Sequence, residues 1–222
     1  MPNTVTLREP AQKRSVETLN RLLVAAEAAF SDRGFAAARL TDIAAEAGVT
    51  VGAVYARFRD KEALFEAVLR RFHEVSVDEV KAYFAAITQS DISAYEGVRR
   101  FVIGTGLTFT GRQGVYRAII ERGLTEPAAW MVPTQMRIDS LAVVINFLNT
   151  RAIALSPDDI RAKVAQQMMY GYLLISLLNP NSPVKPNDRN ALGHLAEAVC
   201  HQLGLPPVPH SNTLREVANA QL

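Results

Sequence analysis

Thr41-Asp42-Ile43-Ala44-Ala45-Glu46-Ala47-Gly48-Val49-Thr50-Val51-Gly52-Ala53-Val54-Tyr55-Ala56-Arg57-Phe58 decides how this chain is read. Its apolar residues recur at three- and four-residue spacing, the period of a helix, and not in strand-like alternation. Gly48 can take positive φ and so cuts the stretch into two short helices. Thr41 offers a hydroxyl to cap the first helix and Thr50 to cap the second. A tight glycine-containing turn between two short helices lets them cross at a steep angle. Ala44 and Ala47 are small enough for close approach, and Ile43, Val49, Val54 and Phe58 point to a shared core. That leaves Thr50, Val51, Gly52, Ala53, Tyr55, Ala56 and Arg57 on the outer face of the second helix, read as 50–58. Its N-terminal end carries no long side chain, so it can lie deep in a DNA major groove about 12 Å wide.

The flanking sequence continues the helical pattern. Upstream, Leu19, Leu22, Leu23, Ala26 and Phe30 stripe a helix over about 15–33, with Gly34 as its expected left-handed terminator. Downstream, Asp60 opens a fourth helix whose apolar face is Leu64, Phe65, Val68, Leu69 and Phe72. Longer helices follow, which places a change of architecture near residue 72. Ser93 and Glu96 form a capping box for a helix to about 110, and another covers 113–124. Pro127 suits the first turn of a helix reaching about 151, and Ser156, Pro157 and Asp159 announce one that lasts to 179. Pro180, Pro183 and Pro186 mark a loop before the last helix, 188–203, and Pro206, Pro207 and Pro209 forbid any continuation. The reading is an all-α protein: an N-terminal arm (1–14), a helix-turn-helix DNA-binding domain (15–72, motif 39–58), a helical ligand-binding and dimerisation domain (73–205) and a tail (206–222).

Composition agrees. With 222 residues, 49% of them hydrophobic, the chain can bury a sizeable core. The first residues are polar and broken by Pro2 and Pro10, unlike a secretory leader, and the longest apolar run, 168–178, falls far short of the ~20 residues a membrane span needs. One cysteine, Cys200, gives no disulfide framework and fits a reducing cytoplasm. Net charge is only +2, and residues 1–72 hold all of the excess, with 11 Lys+Arg against 9 Asp+Glu. So small an excess does not argue for nucleic acid by itself. The placement of residues within the motif carries that argument.

At this point the sequence resembles the tetracycline-repressor (TetR) family of regulators. The stretch 41–58, followed by Asp60-Lys61-Glu62-Ala63-Leu64 and preceded by Ala26, Phe30 and Gly34, carries the resemblance, which covers about 15–70. It implies that Thr41, Thr50, Tyr55 and Lys61 hold DNA phosphates and that Val51, Gly52 and Ala53, with Arg39, touch base edges. Lys61 is a cation in a first helical turn, which opposes the helix dipole and suits an anion partner. Arg57 departs from the family pattern, which usually has His there; an always-charged Arg still suits phosphate, but a titratable role is lost.

Such proteins bind as two-fold dimers on half-sites. The dimer surface is expected in the last two helices, at Met168, Gly171, Tyr172, Ile175, Leu192, Leu195 and Val199, forming an intermolecular four-helix bundle. Between the two ends, Phe101, Thr105, Phe109, Tyr116, Trp130, Met136, Gln167 and Tyr170 are the candidates to line a pocket for a small apolar or amphipathic ligand, with Gly104 and Gly106 leaving room. Aromatic residues at helical spacing more often serve an ordinary core than a cage. No HExxH, GxSxG, Walker or GxGxxG pattern occurs, and His73, His194, His201 and His210 are isolated. Hence no catalytic residue, metal ligand or cofactor is expected. The partners are a double-stranded operator, an effector and a second copy of the chain. A helical scaffold without DNA binding is the competing reading, and an activator would read the same as a repressor.

Overall fold

The computed structural model describes residues 11–205 and 207; the expected tail, apart from residue 207, and residues 1–10 of the expected arm lie outside them. All regular structure among the described residues is helical: α1 (Ala11–Ala37), α2 (Leu40–Glu46), α3 (Val51–Tyr55), α4 (Lys61–Thr88), α5 (Ala94–Phe109), α6 (Gln113–Thr125), α7 (Met131–Thr150), α8 (Ile160–Leu178) and α9 (Arg189–Gln202). Short 3-10 turns, Thr110–Arg112 and Pro127–Trp130, precede α6 and α7. Residues 11–14 are already helical, so α1 starts before 15. Gly34 does interrupt it, but at φ 75° and ψ 167°. That is glycine-only extended space and not the left-handed helical region of an ordinary terminator.

Two compact units emerge, and they do not split at residue 72. One comprises 11–76 with 112–135, the other 77–111 with 136–205. α4 is unbroken through residue 72 and contributes to both. No glycine or proline interrupts 61–88, so nothing stops that helix.

In the first unit Phe30, Phe35 and Phe65 form an aromatic knot, with ring centroids 5.0–5.7 Å apart, around which Leu22, Ile43, Val54 and Leu64 are fully buried. α6 lies directly on α1: a Cβ on Gly114 would overlap the backbone of Ser31. In the second unit Phe84 meets Phe101 and Phe147 at 5.1 and 4.9 Å, while α5 seats on α9. Gly106 does not leave the room expected of it, because Leu192 fills the space where its Cβ would be.

Starts and stops follow local chemistry. Ser93, Asp159 and Asp188 each accept a backbone N–H at the start of α5, α8 and α9. Only half of the expected capping box forms, because the Glu96 carboxylate turns to Arg99 and Arg100. At the end of α9, Leu205 N donates to Cys200 O and Gly204 N to His201 O, the paired closure of a Schellman motif.

Candidate nucleic-acid interface

The turn that crosses α2 and α3 is built on the same closure. Val49 N donates to Ala44 O at 2.9 Å and Gly48 N to Ala45 O at 3.1 Å, with Gly48 at φ +66°. Those two bonds satisfy carbonyls the end of α2 would otherwise leave open. Ile43, Ala44, Ala47 and Val54 are buried, so the helices meet through small and branched side chains. Thr50 caps α3: its hydroxyl oxygen accepts from Ala53 N at 3.1 Å. The hydroxyl proton of Thr50 is not used in that bond. α3 ends at Tyr55 and not at 58, with Ala56 as its C-cap and Arg57 N closing a tighter turn on Val54 O.

The exposed face offers the following groups. Val51 and Ala53 are half-buried and Gly52 is exposed, with nothing crowding the position of its missing Cβ. Tyr55 is 56% exposed, and its hydroxyl has no partner among the described residues. The exposed Arg57 spans from Ala53 O to Ser15 Oγ, both at 3.3 Å, and so ties α3 to α1 while retaining unused donors. Arg39 is exposed at the N-cap position of α2 and makes no capping bond.

Two expectations need correction. Thr41 is not the cap of α2, which begins one residue earlier; its hydroxyl donates to Asp42 Oδ1 at 3.3 Å, and Asp42 also takes Arg33 at 2.9 Å. Lys61 does not need an anion to explain it. Its ammonium donates to Phe35 O, Ala36 O and Ala38 O at 2.8, 3.1 and 3.2 Å and lies 4.7 Å from the Phe35 ring centre. Three N–H donors meet three carbonyls at the end of α1, where the negative end of that helix favours a cation. Dipole arithmetic applied to α4 alone missed the neighbouring helix end.

Around the motif, Asp60 caps α4 by accepting from Ala63 N at 2.8 Å, and that amide together with the Arg59 guanidinium holds its carboxyl below the usual carboxylate range. Arg21 was not singled out from the sequence, yet its Nη1 lies 3.5 Å from where a Cβ on Gly48 would be, beside the turn itself. Its only sequence signal is a cation on the polar side of α1.

The eight residues expected to line a pocket do not gather at one place. Phe101 and Tyr170 line a cavity of about 40 Å³ in the second unit; Met136 and Phe109 are buried in the same unit but are not in its lining. Thr105 donates to Phe101 O, and the exposed Gln167 accepts weakly from Arg137, while its neighbour Gln166 reaches the cavity. Tyr116 and Trp130 belong to the other unit, Tyr116 edge-on to Phe72 and Trp130 beside Gly123. Ser140, Ala162 and Ala165 of the lining were missed. Small buried residues on helices read as core in any sequence.

Of the seven expected dimer residues, Leu192 and Val199 are buried in this chain's own core and cannot meet a partner. Ile175 is 62% exposed, Gly171 faces open space, and Met168, Tyr172 and Leu195 are half-buried. Ile160, Val164 and Leu178, which were not named, extend the same exposed apolar line along α8.

Two short helices crossed over a glycine turn, with the second one capped and presenting small side chains outward, define a helix-turn-helix protein. Residues 22–68 match the family model of bacterial regulatory proteins of the tetR family. The HTH-type transcriptional repressor BepR of Brucella suis is 44% identical over 57 residues, which are 26% of this chain and 27% of that protein. The HTH-type transcriptional regulator TtgR of Pseudomonas putida is 44% identical over 63 residues, 28% of this chain and 30% of that protein. The chain therefore matches less than a third of the length of these curated relatives. Over a longer span the fold itself is shared: the crystal structure of a putative TetR-family regulator from Mesorhizobium loti has a TM-score of 0.71, covering 85% of this chain and 97% of that chain at 19% identity. Residues 22–68 are thus a DNA-binding domain of the tetR family of bacterial regulatory proteins, and the helical fold beyond them is one that solved TetR-family regulators share.

Proposed function

We propose that the chain is a cytoplasmic homodimeric repressor that holds a palindromic operator through α2 and α3 and is released from it by a small ligand. The observation that carries the reading is the outward face of the motif. The Tyr55 hydroxyl, Arg39 and the Thr50 proton are not used by the fold, and Val51, Gly52 and Ala53 leave a smooth apolar edge that suits thymine methyls. Tyr55, Arg57 and Thr50 supply phosphate contacts, which fix register, and the small residues with Arg39 read the bases. Thr41 joins them once its weak bond to Asp42 opens, whereas Lys61 acts by fixing the end of α1.

The exposed line Ile160, Val164, Gly171, Ile175 and Leu178 on α8 supports the dimer, since a contiguous apolar helix face gains most from a second copy of itself. Release by ligand is a population shift: a thousandfold loss of operator affinity requires a ligand preference of about 4 kcal/mol for the state with misplaced recognition helices. Selection of binding sites from a random duplex pool by the purified protein tests the whole reading. A palindromic consensus is the expected result. An unenriched pool, from apo protein and from protein supplied with ligand extracts alike, overturns it.

A further inference from the structure

The cavity in the second unit, lined from α5, α7, α8 and α9, is small and almost wholly apolar. Its 40 Å³ is room for about three water molecules. Ala162 and Ala165 on α8 create that room, because larger side chains at either position would close it. Three polar side chains reach the lining. Gln166 is anchored, its amide nitrogen donating to Arg137 O at 2.6 Å. Ser140 and Tyr170 are different: they are 6% and 8% exposed, and neither hydroxyl bonds to any described residue. A hydroxyl on a helix ordinarily donates back to the carbonyl four residues earlier, as Thr88 does to Phe84 and Thr105 to Phe101. Ser140, mid-way along α7, makes no such bond.

Both hydroxyls keep some accessibility, since Arg151 Nε is the one fully buried polar side-chain atom without a partner among the described residues, and so both are open to a partner that enters the cavity. No charged side chain is in the lining, so a carboxylate or ammonium placed there would lack an ion partner. Arg137 lies 5.8 Å from the Tyr170 ring centre and pairs with Gln167. We propose that this cavity seats the effector, and that the effector is a small, neutral, mainly apolar molecule whose single carbonyl or hydroxyl oxygen is held by Tyr170 and Ser140. The inference rests on the reading of the chain as a ligand-released regulator. Burial pushes the Tyr170 phenol up to about 12, so it remains a hydrogen-bond donor at neutral pH. Met169, unbranched and in the lining, is the side chain best able to give way to a larger molecule.

Titration of the full chain, carrying labelled methyl groups, with cyclopentanone, cyclopentanol, cyclopentane and cyclopentanecarboxylate tests this directly. Shifts should appear at Met169, Val144 and Leu148 with the neutral probes and not with the carboxylate. The two oxygen-bearing probes should bind roughly fivefold more tightly than the hydrocarbon. Tyr170→Phe should erase most of that preference while leaving cyclopentane binding unchanged, and Ala165→Leu should abolish binding of all four. Tight water occupancy that no neutral probe displaces would overturn the proposal, as would stronger binding of the carboxylate or a preference that survives Tyr170→Phe. The readout uses no DNA, so its failure leaves operator binding standing, and a failed operator selection leaves the cavity's chemistry standing.

Discussion

The two units set their special positions by different physics. In the first, the decisive features are backbone events: Gly48 at positive φ, the Thr50 cap, and the end of α1 clasped by Lys61. In the second they are matters of volume: Leu192 in the place of a Gly106 side chain, the Phe147 ring against Gly97, and alanines that leave a void. One device occurs in both. Arg151 Nη2 donates to Ile87 O, Thr88 O and Ser90 O around the end of α4, as Lys61 does for α1. Caps and glycine turns have local sequence signatures, whereas the Lys61 clasp joins residues 23 to 26 positions apart and the volume complementarity residues 50 and 86 apart, and neither has one.

The sharpest way to break this contrast is to overfill the second unit. Gly106→Val should clash with Leu192 and cost about 3 kcal/mol in urea unfolding. A loss below about 1 kcal/mol would mean that α9 shifts freely and that volume does not fix its seat. In the first unit the matching change is Lys61→Met, which leaves three carbonyls without their donor and should cost about 2 kcal/mol of stability. If Lys61 instead holds phosphate, the melting temperature will stay constant while the salt dependence of DNA binding becomes shallower.

Tyr55→Phe separates function from fold within the first unit. Its hydroxyl supports nothing internal, so stability should be unchanged, while affinity for every DNA sequence falls roughly fivefold through one lost phosphate contact. A drop confined to one operator would move Tyr55 from the positioning set to the base-reading set.

How much the sequence discloses follows from the same contrast. Gly48, Thr50 and Asp60 announce the motif because each acts on residues within a few positions of itself, and the starts of α5, α8 and α9 are legible for the same reason. The internal partners of Lys61 are not legible because they lie 23 to 26 residues away, on a helix end that its own helix pattern does not mention. Leu192 and Val199 were placed on the outside because an apolar stripe states that a face is covered and not what covers it. α8 has the opposite surprise: its stretch 168–178 is apolar nearly all round, and the structure decides that Leu173 and Leu177 face inward while Ile175 and Leu178 do not.

Alkaline titration tests whether the second unit's interior is as dry as its volumes imply. Burial pushes the Cys200 thiol from 9.0 up to about 12 and the Tyr170 phenol from 10.0 up to about 12. For both, the neutral form is the one that fits the folded chain, while the unfolded chain loses its protons at the ordinary values. Stability should therefore be level with respect to these two groups below about pH 9, then decline as pH rises toward 12, because only the unfolded state is stabilised by deprotonation in that window. Cys200→Ala should flatten the early part of the decline and Tyr170→Phe the later part. An unchanged slope in both variants would show that water already reaches these groups in the folded chain, and the dry interior on which the volume argument depends would fall with it.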